Sequence, residues 1–183
     1  TALYEANTRS GGRIYTAKNI LAPGLTTELG GEFIDSGHED MMQLAQEFGL
    51  EFLDRELPSE TALKSAYFFG GQHYTEAQII AAFRPLAARI QADAETLGEV
   101  VDFENEGNAT RLDNMSIAEY LGSIGATGWI RDLLTVAYVT EYGLEADQQS
   151  ALNLIFLIST EVSSNKFEVF GDGDERYKIK GGN

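Results

Sequence analysis

The sequence predicts an α+β or α/β chain in which strand-like ends enclose a largely helical middle. Three observations carry this. Short alternating segments bounded by turn residues, such as "RIYTAKN" (13–19) and "FEVFGDGDERYKIKGG" (167–182), gather towards the two ends. Apolar residues at helical spacing dominate from about 76 to 160. Glycine pairs at 11–12, 30–31, 70–71 and 181–182 punctuate the strand-like parts.

Taken in order, "TALYE" (1–5) reads as the end of a strand and "SGGR" (10–13) as a tight loop. "RIYTAKN" and "TELGGEFID" (27–35) read as short strands, with Ala22-Pro23-Gly24 turning between them. From His38 the period becomes helical. Met41, Met42, Leu44, Ala45 and Phe48 form a stripe, and Gly49 is a good C-terminal stop. "LEFLDREL" (50–57) and "SAYFFGGQHYT" (65–75) read as strands, the second folded at Gly70-Gly71 into a hairpin. A long helix follows near 76–97, with Ile79, Ile80, Phe83, Leu86, Ala87, Ile90 and Ala94 on one side and Gly98 ending it. Pro85 is expected to kink or split it. Residues 102–114 read as polar and irregular. "MSIAEYLGSIG" (115–125), "TGWIRDLLTVAYVTEYG" (127–143) and "DQQSALNLIFLISTEV" (147–162) are helical by period. Ser116 with Glu119 makes a capping box, and Ser150 stands near the start of the third of these helices.

Composition excludes several function classes. The 183 residues carry 13 Lys+Arg against 29 Asp+Glu, a formal charge of −16, which opposes nucleic acid and anionic membrane surfaces as partners. Apolar residues at 43% suffice for a real core, and no apolar run is long enough to span a bilayer. The absence of cysteine excludes disulfides, thiolate catalysis and cysteine metal sites. The two histidines, His38 and His73, have no metal-ligand spacing, and "GDGDE" (171–175) lacks a full calcium-loop pattern, so no metal is expected. The triplets at 108–110 and 114–116 match a glycosylation acceptor by chance. The reading favours a soluble, cytoplasmic protein over a secreted one and leaves a homodimer open.

Glu5 closes a short apolar run, where a dinucleotide-binding βαβ unit places the acid that accepts hydrogen bonds from ribose hydroxyls. The glycine fingerprint of that unit is then expected upstream of Thr1. The stretch "LYEANTRSGGR" (3–13) resembles the flavin-dependent amine oxidase family, which includes monoamine, polyamine and L-amino-acid oxidases. Glu5, Ala6, Arg9, Gly11, Gly12 and Arg13 match its opening motif. "ELGGEFID" (28–35), "EYG…QQSALNLI" (141–155) and "YKIKGGN" (177–183) match its later segments in order.

The resemblance implies a partial Rossmann-like FAD-binding domain over 1–50 and 171–183, lacking its GxGxxG unit, with a mostly helical substrate-binding domain inserted at 51–170. It implies FAD as cofactor, held by Glu5 and Ala6, by Gly11, Gly12 and Arg13, and by Gly30, Gly31, Glu32 and Phe33. It also implies an amine substrate, with Tyr138, Phe156 and Phe170 as candidate wall residues. The reaction implied takes an amine C–N bond to an imine and reduces oxygen to peroxide. No catalytic side chain announces itself, in keeping with a flavin that performs the hydride chemistry. The family's flavin-facing lysine and its last flavin-contacting segment are expected beyond Asn183, so the chain alone is expected to be inactive and to bind FAD poorly. Some L-amino-acid oxidases carry an arginine just after the glycine loop, where this chain has Phe33, which counts against that branch. The alternatives are a sister flavoprotein of the protoporphyrinogen oxidase or carotenoid desaturase kind, and a non-catalytic helical binding module.

Overall fold

The computed structural model describes residues 2, 4–61, 66–98, 100–102, 104–105, 107–162, 167–171 and 173–183, the side chains of 60 and 61 excepted. It divides into two compact units, Thr1–Lys64 with Gly173–Asn183 and Ser65–Asp172. The division therefore comes later than residue 51. The segment after 51 stays in the first unit because it pairs with the end of the chain.

In the first unit, β1 (Thr16–Lys18) and β2 (Thr26–Glu28) form an antiparallel hairpin, with Thr16 opposite Glu28. Asn19 sustains the turn between them, its N–H donating to Leu25 O and its side chain accepting from Gly24 N at 2.7 Å. Helix α1 (Glu39–Glu47) begins at His38, with Glu39 and Asp40 in its first turn, where the helix dipole favours acids. Gly49 takes φ +65° just past its end, as a helix stop requires. Strand β3 (Phe52–Asp54) pairs with β6 (Tyr177–Ile179), and the short helix α2 (Pro58–Thr61) follows β3. "TALYE" is not a strand among its described residues: Tyr4 is 91% exposed, and no ladder includes Ala2, Tyr4 or Glu5. Thr1 and Leu3 lie outside the described residues. Strand pairing in "TELGGEFID" stops at Glu28, and Ile34 makes only a single bridge to Tyr177.

The second unit starts with the hairpin of β4 (Tyr67–Phe69) and β5 (Gln72–Tyr74), turned at Gly70-Gly71, both with positive φ. Ser65, included in that strand reading, lies outside the described residues. Helix α3 (Glu76–Ala94) is capped by a reciprocal Thr75–Gln78 box and runs through Pro85 without a break. Ile79, Ile80, Phe83, Leu86 and Ile90 are all buried, so packing on both sides of the proline outweighs its one missing N–H. A short helix, α4 (Ala109–Asp113), occupies part of the segment read as irregular, because Ala109 and Leu112 find the core. Then come α5 (Ile117–Ser123), α6 (Gly128–Tyr142) and α7 (Ala151–Leu157).

The Ser116–Glu119 box caps α5, and the Ser150 hydroxyl accepts from Leu152 N at α7. Helix α7 ends five residues before Val162, because Ser159 N–H leaves the helix to donate to Glu168 O. One core joins α3, α5, α6 and α7, with Phe83, Tyr120, Leu134, Tyr138 and Leu154 fully enclosed. Beside it, Tyr74 stacks on Trp129 with ring centres 3.9 Å apart.

Candidate functional site

The first unit brings three glycine-bearing segments together. Gly11 O accepts from Ile14 N at 2.9 Å, closing a tight turn over Gly12-Arg13. Arg9 clamps that turn: its guanidinium donates to the carbonyls of Gly12 (2.7 Å), Ile14 (3.1 Å) and Ser10 (3.2 Å) and lies over the Tyr15 ring. The Gly30-Gly31 loop lies directly against it. Gly31 N–H donates to Arg13 O, and Leu29 N–H to Tyr15 O. A Cβ at Gly30 would stand 2.0 Å from Arg13 O, so no other residue fits there without moving the backbone.

The third segment is Gly181-Gly182-Asn183. The Asn183 amide donates to Gly31 O at 2.7 Å and Glu32 O at 3.1 Å, and Thr16 Oγ1 donates to Asn183 O at 3.0 Å. Gly182 packs so closely that a Cβ would come within 2.2 Å of the Thr16 methyl. Arg9, Thr16 and Asn183 thus position the loops. Arg9 stood inside the motif seen in the sequence, but its carbonyl contacts are a matter of folding that spacing does not reveal. Asn183 closes the "YKIKGGN" segment seen in the sequence, though its long-range contacts are not legible there, and Thr16 had no sequence signal.

The outer faces of these loops are bare. Nothing lies within 4 Å of a Cβ built on Gly12, and only Ile14 Cγ1, at 3.9 Å, near one built on Gly31. Among the described residues the Arg13 guanidinium has no hydrogen-bond or ion-pair partner. Glu5 and Ala6 are exposed, and the Glu5 carboxylate accepts from Asn7 N at 2.7 Å within its own turn. No hydrogen bond ties Glu5 to the glycine loops among the described residues. Glu32 forms an ion pair with Lys178, and Phe33 lies under the Arg55 guanidinium, 4.3 Å from ring centre to Cζ. An arginine therefore reaches the Phe33 position from the turn after β3, although none directly follows the glycine loop in sequence.

Around these segments, polar clips lock the first unit. Asp174 accepts from Ser36 N and from the Ser36 hydroxyl, which holds its carboxyl below the ordinary 3.8. Arg176 grips Asp54 through two bonds of 3.1 and 2.9 Å, and this, with the Glu56 N–H, depresses Asp54 as well. Asp35 accepts from Glu175 N at 2.7 Å, and its own N–H donates to His38 Nδ1 at 3.1 Å. Asp174 and Glu175 of "GDGDE" therefore lock the 35–38 loop, Asp172 lying outside the described residues. His73 packs edge-on against Phe68, and no metal-holding group of side chains occurs among the described residues.

The candidate wall residues lie in the second unit and do not form one surface. Tyr138 is fully enclosed, its hydroxyl donating to Val169 O at 2.8 Å, and burial pushes that phenol up. It belongs to the core and presents no wall. Phe170 packs edge-on to it, with centres 6.4 Å apart, and is partly exposed. Phe156 is 58% exposed and lines a separate cleft of about 520 Å³ with Val101, Ala109, Asp113 and Leu152.

The family model described as flavin containing amine oxidoreductase matches residues 1–154, and the chain belongs to that family. The family's cofactor is a flavin, FAD. No curated protein matches. Among solved structures, the wild-type putrescine oxidase bound to putrescine is 22% identical with TM-score 0.68, over 97% of this chain and 40% of its own. Cyclohexylamine oxidase from Brevibacterium oxydans IH-35A is 24% identical with TM-score 0.60, over 85% of this chain and 33% of its own. At those identities the likeness is one of fold. The chain spans about 40% of the length of the putrescine oxidase it matches. No helix among the described residues is long and apolar enough to cross a membrane.

Proposed function

We propose that the polypeptide carrying these residues oxidises a small amine to the corresponding imine, with oxygen reduced to hydrogen peroxide. The observation that supports this best is the interlocked set of Gly11–Arg13, Gly30-Gly31 and Gly181–Asn183, which leaves glycine faces bare beside an unpartnered guanidinium. Bare glycines admit a flat ligand to backbone distance. Arg13 suits a diphosphate, which its fork of donors can match. Glu5 suits ribose hydroxyls through the carboxylate oxygen its own turn leaves free, with Ala6 beside it. Gly30 and Gly31 would lie along the ring system, and Glu32 and Phe33 lead away from it. These residues fit FAD, which when bound would supply the acceptor for the hydride, with its two electrons, that leaves the amine carbon. In this reading the first unit binds the cofactor and the second shapes the substrate cavity. Phe170 and Phe156 stay as candidate walls there.

The test is anaerobic reduction. The purified flavoprotein is mixed with putrescine or cyclohexylamine, and flavin absorbance is followed before and after oxygen is admitted. Bleaching by an amine, then peroxide equimolar with amine consumed, is expected. Bleaching only by a porphyrinogen or a polyene would assign the protein to a sister flavoprotein class. A colourless, stable protein that takes up no flavin would leave a helical binding module.

A further inference from the structure

The first unit holds a cleft of about 610 Å³ that the glycine loops do not account for. Phe33, Phe52, Leu53 and Leu57 give it an apolar wall, and Leu53 and Leu57 stay 43% and 52% exposed. Four charged groups also line it. Asp54 is occupied by both donors of Arg176. Glu32 and Lys178 neutralise each other. Arg55 is different. Its Nη1 donates to Glu175 O at 2.8 Å and lies 3.4 Å from Glu175 Oε2, while its Nη2 and Nε have no partner among the described residues. The Phe33 ring, 4.3 Å below, holds the guanidinium plane in place.

We propose that this cleft binds a small organic carboxylate with an apolar body, the carboxylate on Arg55 and the body against Phe33, Leu53 and Leu57. A guanidinium with two free donors matches a carboxylate edge. A phosphate dianion suits the cleft poorly, because Lys178 is committed to Glu32 and the Asp54 carboxylate stands nearby. An amine cation finds both cleft carboxylates already paired. The apolar wall selects a ligand that buries a hydrocarbon body beside its charged end. The inference needs no bound flavin, so its failure would leave the amine oxidase reading untouched.

The probe is 4-phenylbutyrate, titrated calorimetrically into the flavin-free 183-residue chain, with its primary amide and inorganic phosphate as comparisons. Saturable binding of the carboxylate is expected, with the amide and phosphate each weaker by about tenfold or more. Arg55→Ala should lose about tenfold or more, and Arg55→Lys should recover only part, since a point charge lacks the fork. Glu175→Gln should tighten binding modestly by removing the competing carboxylate charge 3.4 Å from Nη1, the Nη1 bond to Glu175 O staying in place. Melting curves check that these surface variants stay folded. No binding of the probe would overturn the proposal, as would equal affinity for the amide, phosphate as strong as the carboxylate, or an Arg55→Ala affinity equal to wild type.

Discussion

The two units are held together by different physics. The second has one continuous core of Ile, Leu, Phe and Tyr side chains, many with no exposed surface. The first buries only Ala17, Ile34 and Ala45 among its described apolar residues, while Ile20, Leu21, Leu29 and Phe48 are 59% to 71% exposed. What it has instead is polar clips: Arg176 on Asp54 and Glu56, Lys178 on Glu32, Lys180 on Glu51, and Ser36 on Asp174. A hydrophobic core is non-directional and tolerant of pH and salt. Clips are directional, and the exposed ones are screened by salt. The helical unit is therefore built to hold a shape alone. The loop unit is built to place backbone groups and charges.

The largest effect expected is in the helical unit. Phe83 is fully buried and meets Phe167 edge-on, with centres 5.1 Å apart. Phe83→Ala should cost about 3–5 kcal/mol, since such a cavity collapses only partly. Hydrogen exchange should show protection lost over α3, α5 and α7 together, with the β1–β2 hairpin unchanged. Loss in both units at once would mean that the division into two stabilities is wrong.

The cofactor reading gives the next effect. In the flavin-bound protein, Glu5→Ala should weaken FAD by about 1.5–3 kcal/mol, roughly tenfold to hundredfold, because one hydrogen-bond partner is charged. Glu5→Gln should cost less. FAD dissociation followed by fluorescence separates the three proteins, and the second unit's exchange should not change. Equal affinities would reduce Glu5 to a turn residue that accepts from Asn7.

A third test strikes the loops without touching charge. Gly30→Ala forces a methyl against Arg13 O, and the loop must shift. Overpacking of this kind costs about 1–3 kcal/mol. Faster exchange at Gly31 and Leu29, whose N–H groups bond to Arg13 and Tyr15, is the expected sign. Unchanged exchange there would show that the two loops are not locked together.

The same contrast explains what was legible in the sequence. The helices were, because apolar period, Ser116–Glu119, Ser150 and Gly49 are all local signals. The Thr75–Gln78 box is an equally local signal. Pro85 does not split its helix, because tertiary packing overrides a local breaker. The strands were read too long, since three-residue ladders depend on which segment arrives opposite. Residue 53 meets residue 178, and no local pattern announces that pairing. Of the site, the glycine pairs could be read from the motif. The clamps at Arg9 and Asn183, and the arrival of Arg55 over Phe33, are long-range or conformational and could not. Tyr138 is enclosed in the core, and in sequence an aromatic on a helix looks the same whether it faces a cavity or the core.

The smallest expected effect, and the sharpest contrast, is with acid. Asp54 is held below its ordinary 3.8 by Arg176, Asp174 by Ser36, and Glu51 below its ordinary 4.5 by Lys180. A depressed carboxyl pKa means that, as pH falls, the unfolded chain takes its proton first. The stabilisation from these clips is thus complete above about pH 5 and is lost as pH falls through the depressed values, below about 4. Arg176 stays charged throughout, since an arginine titrates far above this range and its contact with Asp54 only raises it further. In the second unit Glu119 is also depressed by Ser116, but it caps one exposed helix start and carries none of the core. Corrected for intrinsic exchange rates, the β3–β6 amides should keep their protection above about pH 5 and lose it as pH falls below about 4, while Ile79 to Ile90 keep theirs. Asp54→Asn with Asp174→Asn should flatten the acid response of β6 and leave the slow α3 amides as they were. If α3 instead lost protection in step with β6, acid would be acting through the whole molecule, and the polar clips would not be what sets the first unit apart.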